Sequence, residues 1–479
     1  MSSIKQNIIY SSLLTVSNYL FPLITYPYVS RVLGVDGIGI CNFIDSVIQY
    51  CILFSMMGTM TLGIREIART KDNNNKLNTV FSSILTLNLV FTIISIIALI
   101  LCIKFLGNLD QEKYESLFII GVAKIISTSL QIEWLFKGLE DFRYVTIRAI
   151  IVRILYVVSV FIFVHEKNDY VIYFALTTST ITINAIINLI YSRHFIKFRL
   201  KGLEIKKYFK PFLTLGSYLF LTSLYTTFNV AYLGLVTNTI EVGYYTTATK
   251  LYTIIMSLFT AFTGVMLPRI SNLMAKGEQT RVFELISKSL EVLFLMTVPL
   301  IAISEVCAPE IISLLAGSGY EGAEVPMRIV MPLMLVIGYE QIIIVQLLTP
   351  LGKDRFIFTN SVIGALVGLS MNLLVVSKLA SIGSAIVWLS SEFAVLISSQ
   401  YFTTKCTGYR LPVKGFIHRL LLLIVLIIVL AIVKSYINNS IASLFTISIL
   451  SSVFCIAIEW LVFRNSIVES LIRKYLLRL

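Results

Sequence analysis

A lysine set inside an apolar stretch is the first feature with chemical consequence. The run from Gly243 to Arg269 is long enough to cross a bilayer, which takes about 20 residues at about 1.5 Å each, and it holds Lys250 well inside one end. Thr246, Lys250, Thr253 and Ser257 recur at the spacing of a single helix face. An ammonium at that depth is costly unless it meets protein or water. A whole polar stripe predicts a face that lines a cavity inside a helix bundle; the competing reading is that Lys250 alone snorkels to the nearer headgroups. Further cations lie within apolar stretches: Lys124, with Ser127 or Thr128 and Gln131 on its face, and Arg153 and Arg328. Their place in a cavity rests on depth alone.

Buried carboxylates are the second set. Asn42, Asp45 and Gln49 share one face, and Asp45 either pairs with a cation on a neighbouring span or touches a transported ion or substrate. Glu340 and Glu392, the latter one turn after Trp388, are placed deep in their own stretches. All three are candidate ion-coupling groups. Tyr218, Thr222, Tyr225 and Asn229 form another stripe, which suits a sugar surface or else plain packing.

The elements that must carry these residues are membrane helices. The chain is 57% hydrophobic and 14% charged, against about 25% charged for soluble proteins, and the pattern is not that of alternating β-barrel strands. Six cysteines form no CxxC pair and three histidines lie far apart, so neither a disulfide framework nor a metal site is expected. The net charge of +13 reflects basic residues on one side of a bundle and does not imply nucleic-acid binding. There is no GxxxxGK[ST] loop for a nucleotide and no expected cofactor. The apolar run from Ile8 to Ser30 exceeds the core of a signal peptide and is expected to stay as the first span.

Windowed hydropathy gives about fourteen spans, at 8–30, 38–63, 79–103, 115–136, 144–164, 170–192, 211–236, 243–267, 283–305, 326–349, 356–376, 383–403, 417–437 and 441–463. With the N-terminus in the cytoplasm, roughly 29 of the 39 Lys and Arg fall on the inside and about 6 outside, which puts the C-terminus inside too. The basic connection 193–210 divides the chain into an N-lobe at 1–200 and a C-lobe at 201–410. The spans within 411–479 are nearly pure Leu, Ile and Val, lack a polar stripe, and are expected at the periphery with a cytoplasmic tail behind them. Pro22 and Pro27 should bend the first span, and Asp36 can cap the second. The segment after Cys307 is expected to be a half-helix ending at Gly317. Gly39–Asn42 aligns with Gly243–Thr246, each after a short turn bearing an acid, Asp36 or Glu241; this hints at the internal repeat of alternating-access transporters.

Several ordered blocks resemble the Wzx-type polysaccharide flippases of the multidrug/oligosaccharidyl-lipid/polysaccharide (MOP) exporter superfamily. They are SRVLGVDGIG after the first span, GIREIA at Gly63–Ala68, WLFKGLEDF at Trp134–Phe142, VGYYTTATKL with LPRIS at Leu267–Ser271, and ISLLAGSGYEGA at Ile312–Ala323. The resemblance implies an all-α, V-shaped bundle of fourteen helices in two lobes. This bundle, in the bacterial inner membrane, would move an undecaprenyl-pyrophosphate-linked repeat unit to the outer leaflet for O-antigen, capsule or other surface polysaccharide. It implies a cationic lumen in which Arg31 and Lys250 match family cationic positions, and Asp45 lies in the second-helix block. It implies no enzymatic activity. The implied partners are the lipid-linked oligosaccharide, membrane lipids, a proton or sodium ion, and the polymerase and chain-length regulator of the same pathway.

Physics points to the same cargo, because pyrophosphate and sugars cannot cross hydrocarbon uncovered while buried Arg and Lys can pair the phosphates. Three alternatives stand beside it. Lipid II flippases share an SRxLG-like stretch but usually follow it with an Arg-Asp pair, here Val35-Asp36. A cation-coupled multidrug exporter of the same superfamily would have a cavity dominated by carboxylates. A membrane-embedded polymerase would need sizeable loops with acid/base residues, and the loops here are short.

Overall fold

The computed structural model describes residues 4–105, 111–465 and 467–470, so the tail carrying Arg473, Lys474 and Arg478 lies outside the described residues. Helices follow one another without a strand among the described residues. The first ten are α1 (Ile4–Met56), α2 (Thr59–Thr70), α3 (Asn74–Phe105), α4 (Gln111–Leu130), α5 (Glu133–Gly138), α6 (Phe142–Phe163), α7 (Tyr170–Ser192), α8 (Ile205–Ser223), α9 (Thr227–Val236) and α10 (Thr239–Ala275). The rest are α11 (Gln279–Ala316), α12 (Glu324–Val330), α13 (Leu333–Ile343), α14 (Asp354–Met371), α15 (Ser377–Thr407), α16 (Val413–Ser435) and α17 (Ser440–Leu461). π-helical turns at Ile344–Leu348 and Asn372–Val376 follow α13 and α14. The chain forms two compact units, Met1–Gly243 and Tyr244–Leu479; the basic connection 193–210 lies within the first.

Eleven helices are long and apolar enough to cross a membrane, or twelve if α8 and α9, bent by 49° at their junction, count as one. Two of these segments, Leu13–Thr70 with 58 residues and Asp354–Thr407 with 54, are more than twice the about 20 residues of one crossing. The loops expected inside them are reduced to a residue each. In α1 the break is Gly34, at φ 68° and ψ 177°, a region that glycine enters freely because it has no Cβ. In α15 it is Ala380, at φ 47° and ψ −124°, a strained conformation for alanine. The helix runs on through Pro22 and Pro27. α11 continues past a break at Cys307 to its cap at Gly317, so the expected half-helix is joined to the preceding span.

Two blocks singled out in the sequence pack on each other in the first unit. α2 buries Thr59, Leu62, Gly63 and Ile67 and turns Arg65 and Arg69 outward. The Trp134 indole lies over Gly63, where a Cβ would come within 2.5 Å of the ring. Its other neighbour is Phe81, stacked at 5.2 Å. The spacing of small and apolar residues in GIREIA thus makes the seat for the tryptophan of WLFKGLEDF.

Asp36, expected to cap the second span, accepts a hydrogen bond from Thr239 Oγ1. One turn away Gly39 lies against the same residue: a Cβ there would be 1.7 Å from the Thr239 carbonyl oxygen and 3.1 Å from the Gly243 nitrogen. Only glycine permits this approach, a small-residue crossing in the manner of membrane helices. Gly39→Leu is expected to lower stability by about 1–3 kcal/mol, the usual cost of overpacking. Thermal melting in detergent checks this, and an unchanged Tm contradicts it.

α16 is as apolar as expected, burying only Leu423, Leu426 and Leu430. α17 departs from expectation. Its buried residues are Ser443, Ile447, Ser451, Cys455 and Glu459, a partly polar stripe at four-residue spacing that flanking Ile and Leu hide in a composition count. It faces α11, where Ser451 Oγ donates to the Pro299 carbonyl at 3.2 Å.

Candidate functional site

In the first unit most of the polar side chains singled out from depth have protein partners. Asp45 of α1 and Lys124 of α4 form an ion pair; the Lys124 ammonium also lies 5.5 Å from the centre of the Phe174 ring of α7. Asp45 therefore takes the cation-paired reading offered by its sequence. Its side chain remains 40% exposed, against 11% for Lys124, so the pair is open on the aspartate side. Around it α4 and α7 are joined by Ser127 and Thr182 at 2.8 Å, and Thr92 meets Ser129 at 2.6 Å. Arg153 reaches back to α1, donating to Ser17 Oγ at 2.6 Å and to Asn18 Oδ1.

Arg148, which could have snorkelled to phosphates, is instead buried. It donates to Glu133 Oε1 at 2.6 Å and to Asn188 Oδ1, and Lys137 approaches the other Glu133 oxygen at 3.2 Å. Tyr144 and Tyr191 stack beside it at 3.9 Å. A buried charge needs compensating partners, and here α5, α6 and α7 supply them. Arg31 is exposed, with Nη1 donating to the Pro27 carbonyl at 2.6 Å.

The stripe Tyr218, Thr222, Tyr225, Asn229 does not run along one helix. α8 ends at Ser223 and α9 starts at Thr227, so Tyr218 is exposed while Tyr225 and Asn229 are buried. The cause is local. Thr222, Ser223 and Thr226 turn their hydroxyls onto the carbonyls of Tyr218, Phe220 and Thr222 at 3.1, 2.7 and 3.1 Å, and such back-bonding bends helices. At the break the Ser223 carbonyl accepts both from the Thr226 N–H at 3.3 Å and from the Tyr50 hydroxyl at 2.7 Å.

In the second unit α10 is an unbroken helix, as the Lys250 stripe requires. Its buried residues include Tyr245, Thr247, Ala248, Tyr252, Met256, Ser257 and Phe259, while Lys250 is half-buried. Arg328 of α12 donates to the Glu305 carbonyl of α11 at 3.1 Å. Glu340 of α13 and Glu392 of α15 are both buried, on helices that pack against each other. The Trp388 indole donates to Glu392 Oε1 at 3.0 Å, and Tyr252 of α10 meets the Trp388 ring edge-on at 4.9 Å.

Two ion pairs escaped the sequence reading. Arg419 of α16 grips Glu459 of α17 through Nε and Nη2 at 2.7 and 3.0 Å, between the rings of Phe294 and Phe463. Lys434 of α16 meets Glu310 of α11 at 2.8 Å. Among the described residues no group of three His, Cys, Asp or Glu could hold a metal ion.

The family described as "Polysaccharide biosynthesis protein" matches residues 4–274, more than half of the chain. The chain belongs to that family. Relatives with similar sequences include a protein of Escherichia coli (strain K12), 26% identical over 400 residues, covering 82% of this chain and 95% of the relative. Another, from Shigella dysenteriae, is 30% identical over 278 residues, covering 56% of this chain and 68% of the relative. Both carry the provisional name O-antigen transporter. The fold is that of the MOP superfamily. The lipid II flippase MurJ in its inward closed conformation aligns with a TM-score of 0.71 at 15% identity, covering 95% of this chain and 98% of that one. An inward-facing MATE family multidrug transporter aligns at 0.66 and 14% identity, covering 84% and 98%. This family member is a multi-pass integral membrane protein, and its relatives are named as transporters rather than enzymes.

Proposed function

We propose that this protein is a flippase that carries a polyprenyl-pyrophosphate-linked oligosaccharide from the inner to the outer leaflet of the bacterial inner membrane, for O-antigen or a related surface polysaccharide. The observation that carries the reading is the match to relatives named O-antigen transporter over 95% of one relative's length, in a chain whose membrane helices hold many basic groups. Taking the two segments broken at Gly34 and Ala380 as two crossings each adds two to the twelve, which gives fourteen and places both termini on one side.

In this reading Arg31 and Lys250 meet the pyrophosphate in the course of translocation, because a cation pairs phosphate oxygens while the lipid tail stays in hydrocarbon. Alternating access moves the head group, and an ion gradient supplies the energy. The test is complementation of a strain that lacks its own flippase. Return of a surface polymer supports the reading. Ethidium efflux without polymer, or sugar transfer by the purified protein, overturns it.

A further inference from the structure

Arg148 and Arg419 each grip a glutamate, and they differ in what they leave over. Arg419 gives Nε and Nη2 to Glu459, and the cavity beside it measures about 20 Å³, room for about one water. Arg148, 5% exposed, gives Nη1 to Asn188 and Nη2 to Glu133. Its Nε is buried and has no hydrogen-bond partner among the described residues. A cavity of about 470 Å³ opens beside this guanidinium, between α6 and α7, which is the size of an ordinary small-molecule pocket.

Its walls change character along the helix. Arg143, Ile147 and Ile151 of α6 follow one another at four-residue spacing, all exposed. α7 contributes Ile187 and Tyr191, whose ring stacks on that of Tyr144 at 3.9 Å. The polar groups gather at the Arg143 end, while Ile151 lies about 12 Å further along at 1.5 Å per residue. Beyond it Ile154 and Val158 of α6 and Ile186 of α7 are exposed and apolar, as a surface facing hydrocarbon is. A charged mouth leading into an apolar wall matches an amphiphile. The charge count narrows its head group. Glu133 is shared by Arg148 and Lys137, so one positive charge is left over. On the rim Asp141 offsets Arg143, and its oxygens accept from the Tyr144 N–H at 3.3 Å and the Tyr191 hydroxyl at 3.1 Å. One net positive charge suits a phosphodiester, with one negative charge, better than a pyrophosphate. Lys71 pairs with Glu140 at 3.0 Å and Arg199 reaches Asn75 at 3.4 Å, so the turn after α2 and the connection after α7 bring further basic groups to this end of the unit. The positive-inside rule places such an end in the inner leaflet, with tyrosines at head-group level.

We propose that the cavity between α6 and α7 binds an inner-leaflet phospholipid with one net negative charge, its phosphate between Arg143 and Arg148 and its chains along Ile147, Ile151 and Ile187. The phosphate supplies the acceptor that Arg148 Nε lacks, and a buried N–H left unpaired is costly. This lipid is a resident of the bilayer rather than cargo, and its site stands apart from the flippase reading.

The test uses the full-length protein in neutral detergent, with phosphatidylglycerol as the probe and phosphatidylcholine of the same chains as the control. Native mass spectrometry reads the lipid retained, and a photoactivatable phosphatidylglycerol maps the contact. Phosphatidylglycerol should be preferred about fivefold, the usual contribution of one charge at an anionic membrane, and should cross-link within residues 143–152. Arg143→Gln should weaken its binding by a similar factor. Ile147→Trp, which fills the cavity and leaves the charge unchanged, should abolish the preference. Both positions are exposed, so both variants should melt as the wild type does. Equal retention of the two lipids, retention unchanged in both variants, or cross-links elsewhere overturns the site. Displacement by inorganic phosphate at equal concentration would make the cavity a plain anion site and overturns a phospholipid as its occupant. Displacement by polyprenyl-pyrophosphate-linked oligosaccharide would make it a cargo site and overturns the proposal likewise.

Discussion

Cells that depend on this protein for surface polysaccharide should lose the polymer when Arg31 and Lys250 are both replaced by alanine, with the protein still present in the membrane. A charge-assisted hydrogen bond contributes about 1.5–3 kcal/mol. Two lost contacts to a pyrophosphate thus correspond to a fall of about a hundredfold or more in transport. Neither residue is among the buried ones: Arg31 is exposed and Lys250 is half-buried. Loss of function should therefore come without loss of fold. Each single variant should show part of the defect, and lysine at 31 should restore more than glutamine. Immunoblotting of membranes with staining of the polymer reads both quantities. Normal polymer from the double variant contradicts a role for these cations.

The largest effect on stability is expected at Arg419. Its guanidinium makes two hydrogen bonds to Glu459 and sits between two phenylalanine rings at 4.7 and 4.1 Å. Arg419→Ala would leave Glu459 buried with Asn465 as its partner, at 2.9 Å. Removing one member of a buried ion pair costs about 3–5 kcal/mol, because the other charge is stranded. The double variant Arg419→Met, Glu459→Leu removes both charges and should recover most of the loss, as apolar replacement of whole buried pairs commonly does. Melting curves of the two variants in detergent decide this. A single variant as stable as the wild type would mean that the pair contributes little to holding α16 and α17 together.

How far the sequence could be read depends on what holds each feature in place. Hydropathy found the helices, because a crossing is a local property of about 20 residues. It also drew loops at Gly34 and Ala380 that the chain does not make, since one residue with unusual dihedrals turns the backbone without any polar segment to mark it. The residues of the Lys250 stripe lie on one continuous helix, α10. Those of the Tyr218–Asn229 stripe do not, and the signal against it was present: Thr222, Ser223 and Thr226 crowd hydroxyls into one turn. Pairings between helices were out of reach. Arg148 and Glu133 are 15 positions apart, Arg419 and Glu459 40, Lys124 and Asp45 79, and no helical period connects such separations. Depth alone marked Glu340 and Glu392 as unusual. That Asp45 has a lysine partner emerges only when α1 is laid against α4.

The most direct measurement is translocation by the purified protein in sealed vesicles. Polyprenyl-pyrophosphate-linked oligosaccharide is placed in one leaflet, and its arrival in the other is read with a glycosidase that cannot cross. The account predicts protein-dependent arrival that falls when Arg31 and Lys250 are replaced by alanine. Folded protein that leaves the lipid in its starting leaflet under both a pH and a sodium gradient would contradict it.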